Sequence, residues 1–266
     1  MTDVVFIHGL WVPAIAWQPW IERFAADGLQ AVAPTWPGET ATVAETRENP
    51  AAQAGFGIDD ITEHFANVLD GYDVRPIVIG HSFGGLIAQK LLAQGKAAAA
   101  VAIDPAPIKG VKPLPLAQLR SAFPVLGNPL NKNRAKGLTR AQWRFAFGNA
   151  LSQDESDALW ARLAIPSPGK PLFEAATANF APSSPAKVDT ANDNRGPLLI
   201  TGADADHTVP LVSTKATHRL YAKSAAITDF HEFEGRGHSL TIDSGWEHVA
   251  ETTLDWIARR VGVERA

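Results

Sequence analysis

Cysteine is absent from this chain of 266 residues. Disulfide bonds, thiolate nucleophiles and cysteine-ligated metal sites are therefore excluded. The chain also lacks any apolar run that approaches the roughly 20 residues of a membrane-spanning helix, so we expect no membrane span. Charge of one sign is not in large excess either. The formal net charge of −4 gives no reason to expect a nucleic-acid partner.

The residues that are present describe a globular protein. Hydrophobic residues make up 45% of the chain, and the length fits one large domain or two small ones. Only Met1, Thr2 and Asp3 precede the first predicted strand, so we expect no signal peptide and a cytoplasmic location. A phosphate-binding glycine loop, a dinucleotide fingerprint and a cluster of metal ligands are all missing, so we expect no cofactor. No sequence feature indicates an oligomeric state.

Predicted strands and helices alternate along most of the chain. This pattern is typical of an α/β fold with a mostly parallel, doubly wound sheet covered on both faces. Strands are predicted near residues 4–7, 30–33, 76–80, 99–103, 197–201 and 226–231. Helices are predicted near residues 14–27, 58–71, 84–95, 212–222 and 245–260.

The segment around Ser82 carries the strongest chemical signal. Gly80 and Gly84 flank it in a Gly-x-Ser-x-Gly pattern that follows an apolar run and precedes a predicted helix. Glycines permit the tight turn, and the start of a helix favours negative charge. In this strand-turn-helix context the pattern predicts a nucleophilic serine.

Two later predicted strands lead into loops that carry an acid and a histidine, in the order expected after a serine nucleophile. The first loop contains Asp206, and the second contains His238 within Gly-Arg-Gly-His-Ser. The carboxyl ends of parallel strands share one edge of a sheet, so these residues should converge on Ser82. A serine hydroxyl needs a base, and the base needs an orienting group. These requirements make His238 the candidate base and an aspartate of the first loop, Asp206 or Asp204, a candidate acid.

With these residues, the chain resembles the α/β-hydrolase superfamily. The resemblance runs from residue 4 to about residue 258 with one interruption, and is carried by residues 5–11, 33–38, the turn at Ser82, 206–210 and 237–239. It implies a capped, esterase-like member with a serine nucleophile. Too few residues precede the first strand for the antiparallel hairpin that many members have, so the sheet should be smaller at that edge. The resemblance does not indicate a substrate.

Residues 207–210 resemble the acid loop of the superfamily, which implies Asp206 as the triad acid. Two other aspartates are alternatives. Asp204 lies close to Asp206 and is interpreted as a solvated turn residue. Asp104 follows the strand before the interruption, where some members of the superfamily carry their acid. Its other interpretation is a turn-forming aspartate before a proline.

The resemblance also implies two backbone donors for a tetrahedral intermediate. One is the amide of Phe83, after the nucleophile, and the other is the amide of Leu10, in the first strand-helix loop. His8 is expected to support this loop by hydrogen bonding. Four aromatic residues are predicted to line the substrate pocket, with core packing as the alternative: Trp11, Trp36, Trp143 and Phe147.

Residues 105–195 interrupt the alternation. Strand-like runs disappear, prolines are frequent, and helices are predicted near residues 113–122, 139–150, 153–163 and 171–178. Ser152 and Glu155 fit a capping box for the third helix. The resemblance implies a helical cap, which divides the chain into a core of residues 1–104 and 196–266 and a cap of residues 105–195. A surface excursion without a role is the alternative, although loops this long are usually functional or disordered.

Charge is distributed unevenly. Residues 105–153 contain no aspartate or glutamate and eight basic residues, whereas residues 39–73 contain eight acids and one arginine. Two solvated faces, or a salt-bridged contact between cap and core, explain this difference. A positive rim that attracts anionic substrates is the alternative.

The function expected from the sequence is hydrolysis of a carboxylic ester or related acyl bond in a small-molecule substrate. The first alternative is a lyase or cofactor-free oxygenase that uses His238 as a base on a substrate without an acyl group. The second is a small-molecule binding protein without catalysis.

Overall fold

The computed structural model describes residues 3–262. Its eight strands are β1 (Asp3–Ile7), β2 (Gln30–Val32), β3 (Ile77–His81), β4 (Ala99–Ile103), β5 (Ala135–Lys136), β6 (Ser167–Pro168), β7 (Leu198–Ala203) and β8 (Thr228–Phe233). Six of them form one sheet in the order β2-β1-β3-β4-β7-β8, and every neighbouring pair in it is parallel. The predicted parallel α/β sheet is confirmed. Within residues 3–262 no antiparallel hairpin joins this sheet at its β2 edge.

Ten α-helices accompany these strands in the described part of the chain. They are α1 (Gln18–Ala26), α2 (Val43–Glu48), α3 (Ile58–Leu69), α4 (Phe83–Ala93), α5 (Leu116–Leu126), α6 (Arg140–Ala146), α7 (Gln153–Leu163), α8 (Lys170–Ala176), α9 (Leu211–Leu220) and α10 (Trp246–Val261). None of the helices between residues 3 and 262 is long and apolar enough to cross a membrane.

The sheet separates two layers of core. Successive side chains of a strand point to opposite faces, so Val4 and Phe6 pack with α1 and α10, whereas Val5 and Ile7 pack with α3, α4 and α9. Both faces are covered, which explains why the central strands are continuous apolar runs. The core layer that contains Val5 and Ile7 continues into the segment between β4 and β7.

This segment contains α5 to α8 and the short antiparallel pair β5 and β6. The pair corrects the expectation that strands disappear there. Helix α5 starts and ends later than predicted, because Pro115 is its N-cap and Pro124 is tolerated inside its C-terminal half. The capping box is half correct. The Ser152 hydroxyl accepts from the Glu155 amide at 3.2 Å, but the Glu155 carboxylate accepts from the Ser244 amide at 2.7 Å.

Contacts between this helical segment and the rest of the fold are polar and specific. The Arg47 guanidinium donates to backbone carbonyls at the end of α7, including that of Ala164 at 2.8 Å. Lys170 forms an ion pair with Asp60 at 3.0 Å. The Glu174 carboxylate accepts from the Ile58 amide at 2.7 Å, at the start of α3. The segment is therefore fastened to the layer that surrounds the carboxyl ends of the strands.

Candidate active site

Ser82 lies in a strained turn between β3 and α4. Its φ of 57° and ψ of −121° lie in a region that residues with a Cβ rarely adopt. The turn is compact: a Cβ atom at Gly80 would lie 2.0 Å from the Gly84 carbonyl oxygen, so only glycine fits. Trp11 and Asp104 are the other non-glycine residues with positive φ in the described chain. All three follow strands at the same sheet edge, and such strain typically clusters at functional sites.

Three side chains form a hydrogen-bonded chain at this edge. The Ser82 Oγ lies 3.0 Å from His238 Nε2, and His238 Nδ1 lies 2.6 Å from Asp206 Oδ2. Ser82 follows β3, Asp206 follows β7 and His238 follows β8. His238 is fully buried, and Ser82 and Asp206 are nearly so. The structure thus brings the three predicted catalytic side chains within direct hydrogen-bonding distance.

The surroundings of Asp206 favour its ionised form. Burial acts to raise its pKa, but the charge of His238 and the hydrogen bond to it outweigh burial, so the pKa lies below its usual value. The other carboxylate oxygen accepts from the amides of Thr208 and Val209 at 2.7 and 2.8 Å. A carboxylate held in this way can fix the imidazole and stabilise its protonated form.

Asp104 lies beside this chain but has different surroundings. It is fully buried at the end of β4, and its Oδ1 accepts from the Thr201 hydroxyl at 3.0 Å. One carboxylate oxygen from each of Asp104 and Asp206 and one ring nitrogen of His238 all lie within 4.8 Å of one another. Burial raises the pKa of Asp104 well above its usual value, and the charge of Asp206 raises it further. These surroundings favour a neutral carboxylic acid, unlike those of Asp206.

Asp204, the other alternative, is exposed and braces the histidine loop. Its Oδ1 accepts from the Gly235 amide at 2.7 Å. Farther along that loop the Ser239 hydroxyl donates to Asp243 at 2.8 Å, and Arg236 pairs with the same carboxylate. The loop that carries His238 is therefore held on both sides of the imidazole.

The two expected amide donors lie next to Ser82. Phe83 is the first residue of α4, and the first amides of a helix have no partner within the helix. The loop with Leu10 approaches from β1, and a Cβ atom at Gly9 would lie 2.6 Å from the Ser82 Cβ. This close approach places the Leu10 backbone beside the serine.

His8 supports this loop from behind. Its Nε2 lies 2.7 Å from Glu39 Oε2, and Glu39 also accepts from the Ala14 amide at 2.8 Å. The His8 ring stacks on Trp36 with centroids 4.9 Å apart. Burial acts to raise the pKa of Glu39, but His8 lowers it below its usual value overall. Glu39 was not predicted, because no local pattern links it to His8.

An aromatic stack covers His238. The Phe147 ring meets the imidazole edge-on at 4.9 Å, and the Trp143 ring stacks on Phe147 at 4.4 Å. On another side lies His81, with ring centroids 4.6 Å apart. Burial lowers the pKa of His81 well below its usual value, which favours its neutral form. His81 is a further residue that the sequence analysis did not single out.

The helical segment also holds the acid loop. The Asn149 amide donates to the Ala205 carbonyl at 2.7 Å, and the Thr208 hydroxyl donates to the Ala146 carbonyl at 2.7 Å. Nδ1 of His207 lies 3.1 Å from the Phe145 carbonyl oxygen. Helix α6 and the residues after it are thus bonded directly to the loop that carries Asp206.

A cavity of about 230 Å³ reaches Ser82. Its walls come mainly from residues 106–126 and 172–180, and most of them are apolar. Trp11 is one of its lining residues. Trp36, Trp143 and Phe147 do not appear in its walls, which corrects the prediction that they form the pocket: they pack behind His8 and His238 instead. Of the described charged residues, only Lys112 lines the cavity.

A model of the alpha/beta hydrolase family matches residues 4–252. The chain belongs to this family. None of the curated proteins compared with it matches significantly.

Solved structures of other α/β-hydrolases have the same fold. An extracellular α/β-hydrolase from a Paenibacillus species is 19% identical, with a TM-score of 0.69 over 96% of this chain and 98% of the other. A monoacylglycerol lipase from Paleococcus ferrophilus is 18% identical, with a TM-score of 0.66 over 97% and 94%. A thermophilic esterase from Thermogutta terrifontis is 15% identical, with a TM-score of 0.66 over 97% and 90%. Likeness at this identity concerns the fold alone.

One cluster in this α/β-hydrolase has the spacing of metal ligands. Among residues 3–262 the group of Asp104, Asp206 and His238 is the one with three such side chains close together. It does not fit a metal ion well, because Asp206 Oδ2 and His238 Nδ1 are hydrogen-bonded to each other at 2.6 Å, so neither atom is directed at a shared ion. The cluster is better described as the hydrogen-bonded chain that ends at Ser82.

Proposed function

We propose that this α/β-hydrolase is a serine hydrolase that cleaves a carboxylic ester or related acyl bond. The single observation that carries the proposal is the chain of hydrogen bonds from Asp206 through His238 to Ser82, at 2.6 and 3.0 Å. This geometry satisfies the requirement for a nucleophile, a base within reach and a group that orients the base.

The reaction has two halves. In the first, Ser82 Oγ attacks the acyl carbon while His238 Nε2 takes the hydroxyl proton, and the imidazolium is stabilised by Asp206. The amides of Phe83 and Leu10 donate to the resulting oxyanion. The intermediate collapses with loss of the alcohol, to which His238 returns the proton.

In the second half, water hydrolyses the acyl-enzyme. His238 removes a proton from water, the hydroxide adds to the acyl carbon, and the carboxylic acid leaves as Ser82 Oγ is protonated again. The two halves together consume one water molecule and regenerate the free enzyme, with the nucleophile, the base and the oxyanion donors all supplied by the chain.

We assign residues 105–195 to a cap and residues 1–104 and 196–266 to the catalytic core. The cavity supports this assignment, because residues of α5 and α8 form much of its wall over Ser82. The cap also helps to position the loop that carries Asp206, because the hydrogen bonds of Asn149 and Thr208 join the two segments. A surface excursion without a role would not explain these contacts.

The esterase and the lipase described above share this fold, and the apolar cavity suits an acyl group without charge. The test is turnover of a short-chain chromogenic ester by the wild type, Ser82→Ala, His238→Ala and the double variant. Each single variant is expected to lose nearly all turnover, and the double variant little more, since a triad acts as a unit. Full activity in Ser82→Ala would remove the nucleophile assignment.

The alternative functions give other results in the same assay. A binding protein would not turn over any ester. A lyase or cofactor-free oxygenase that uses His238 as a base would depend on His238 without forming an acyl bond to Ser82.

A further inference from the structure

Large apolar side chains are exposed around the mouth of the cavity. Leu114, Leu119 and Phe180 line the cavity and are also exposed to solvent, with Phe180 87% exposed. Leu116 and Phe123 extend this surface along α5 and are 84% and 68% exposed. We call these five residues, with the exposed Lys112 and Arg120, the mouth patch. Exposed apolar patches of this kind typically mark interaction sites.

Helix α5 presents the patch as one stripe. Leu116, Leu119 and Phe123 are spaced three and four residues apart, which places them on the same side of the helix. The opposite side, with Ser121 and Val125, is buried. The exposed apolar face is therefore additional to the face with which the helix packs.

The two segments that form the mouth are fastened to each other. The Asn179 side chain donates to the Val111 carbonyl and accepts from the Gly110 amide, both at 2.7 Å. The Lys109 ammonium donates to the Pro182 carbonyl at 3.0 Å. Phe180 lies between these anchors, so its exposure is a fixed feature of the surface.

The two chain segments that carry the patch hold charges of one sign. Residues 105–153 and 175–188 hold no aspartate or glutamate, but they hold nine lysines and arginines. Lys112 and Arg120 lie within the mouth patch itself, and both are exposed. Basic residues beside exposed apolar side chains are typical of surfaces that bind an anionic lipid interface.

We infer that the mouth patch docks on an anionic phospholipid surface, with the cavity opening toward the lipid. The apolar side chains enter the interface while Lys112 and Arg120 contact the headgroups. The chain then lies on the membrane without crossing it. An apolar substrate dissolved in the lipid reaches Ser82 without passing through water.

The experiment is co-sedimentation of the full chain with two kinds of vesicle, one of phosphatidylcholine and one of phosphatidylcholine mixed equally with phosphatidylglycerol. We expect stronger binding to the anionic vesicles, which weakens with added salt, since screening acts over about 10 Å at 0.1 M. Binding needs no turnover, so Ser82→Ala should bind as the wild type does. Failure of docking is thereby separated from failure of the proposed hydrolysis.

The variants test whether the patch is responsible. Leu116→Ser with Phe123→Ser should bind the anionic vesicles at least about tenfold more weakly. Val74→Ser with Ile227→Ser is the matched control, because both residues are exposed apolar side chains outside the patch. Turnover of a water-soluble ester should be equal in both double variants, which shows that they are folded.

Charge is tested in the same way. Lys112→Gln should reduce the preference for anionic vesicles, whereas Lys223→Gln, an exposed lysine elsewhere, should not. Equal sedimentation of patch and control variants, or no preference for anionic vesicles, would overturn the proposal. So would concentration-dependent dimerisation that the patch variant abolishes, because a second copy would then be the occupant.

Discussion

An oxygen of Asp104 and an oxygen of Asp206 lie within 4.8 Å of each other at the ends of neighbouring strands β4 and β7. Both carboxyls are buried, yet their pKa values move in opposite directions: that of Asp104 is raised by burial and by Asp206, and that of Asp206 is lowered by His238 in spite of burial. The surroundings of these two adjacent carboxyls thus favour different protonation states, neutral for Asp104 and ionised for Asp206, which supports our proposal of Asp206 as the triad acid.

The raised pKa of Asp104 predicts how its replacement changes stability. The folded state keeps the Asp104 proton to a higher pH than the unfolded state, so this residue costs stability progressively as pH rises above its unfolded pKa of about 3.9. Asp104→Asn removes the cost, because the amide mimics the neutral acid. Between the unfolded pKa and the raised folded pKa of Asp104, the free energy of unfolding of the variant should therefore rise relative to that of the wild type by up to about 1.4 kcal/mol per pH unit.

Chemical denaturation at several pH values measures this gain. Asp104→Asn should also keep ester turnover within about tenfold of the wild type, since its amide can still accept from Thr201 and donate toward Asp206. A stability difference that is independent of pH, together with loss of turnover, would identify Asp104 as an ionised catalytic carboxylate instead.

Unlike Asp104→Asn, the Asp206→Asn variant is expected to lose most of its activity. The imidazole of His238 loses its counter-charge and its orienting acceptor, so kcat should fall by about three powers of ten. Asp204→Asn is the matched control, because the amide oxygen can still accept from the Gly235 amide, and its kcat should stay near that of the wild type. The steady-state kinetics of both variants on one ester decide the assignment, which fails if Asp206→Asn is nearly as active as the control.

The backbone strain at Ser82 gives a prediction that does not depend on catalysis. Ser82→Gly and Ser82→Ala both lack the nucleophile, but only glycine adopts a φ of 57° and a ψ of −121° without strain. Ser82→Gly should therefore be the more stable of the two, by about 1 kcal/mol. At Ser213, buried within α9, the order should reverse, because glycine destabilises a helix relative to alanine. The same order at both sites would mean that the turn is unstrained.

Replacing Asn149 tests whether residues 105–195, which we propose as a cap, help to position the loop that carries Asp206. Asn149→Ala removes the hydrogen bond to the Ala205 carbonyl, so Asp206 should be less well positioned and kcat should fall about tenfold. Asn192→Ala, the control, removes a bond to the Ala93 carbonyl, at the opposite end of α4 from Ser82, and also the bond that the Asn192 side chain accepts from the Asn194 amide. Both variants should lose about 1 kcal/mol of stability. An unchanged kcat in Asn149→Ala would leave the cap without influence on the acid loop.

The sequence predicted the sheet well because each strand of its centre is a short apolar run followed by a turn. The prediction for residues 99–103 matches β4, whereas β7 starts one residue later and ends two residues later than the predicted strand at 197–201. Helix α2 was missed because it is six residues long and buries only Thr46, so it has little periodic apolar pattern. The pair of two-residue strands between β4 and β7 has no sequence signal either.

The candidate site likewise contains residues that a local sequence pattern predicts and residues that only the folded chain brings together. Ser82 and His238 stand in local patterns that can be read without coordinates. The partnership of His8 with Glu39 depends on chain folding over 31 positions, and no local pattern reports it. The side on which an aromatic ring packs has no sequence signal either. Trp143 and Phe147 are expected in the pocket from the sequence, but Phe147 packs against His238 and Trp143 stacks on Phe147.

The central claim is that Ser82 is the nucleophile of an acyl transfer, and an active-site titration tests it most directly. The enzyme is treated with increasing amounts of a fluorophosphonate, and ester turnover is measured beside the mass of the protein and the position of the adduct. Turnover should fall in proportion to labelling and reach zero at one adduct per chain, with the adduct on Ser82. Undiminished turnover in the fully labelled enzyme, or an adduct at another residue, would contradict the account.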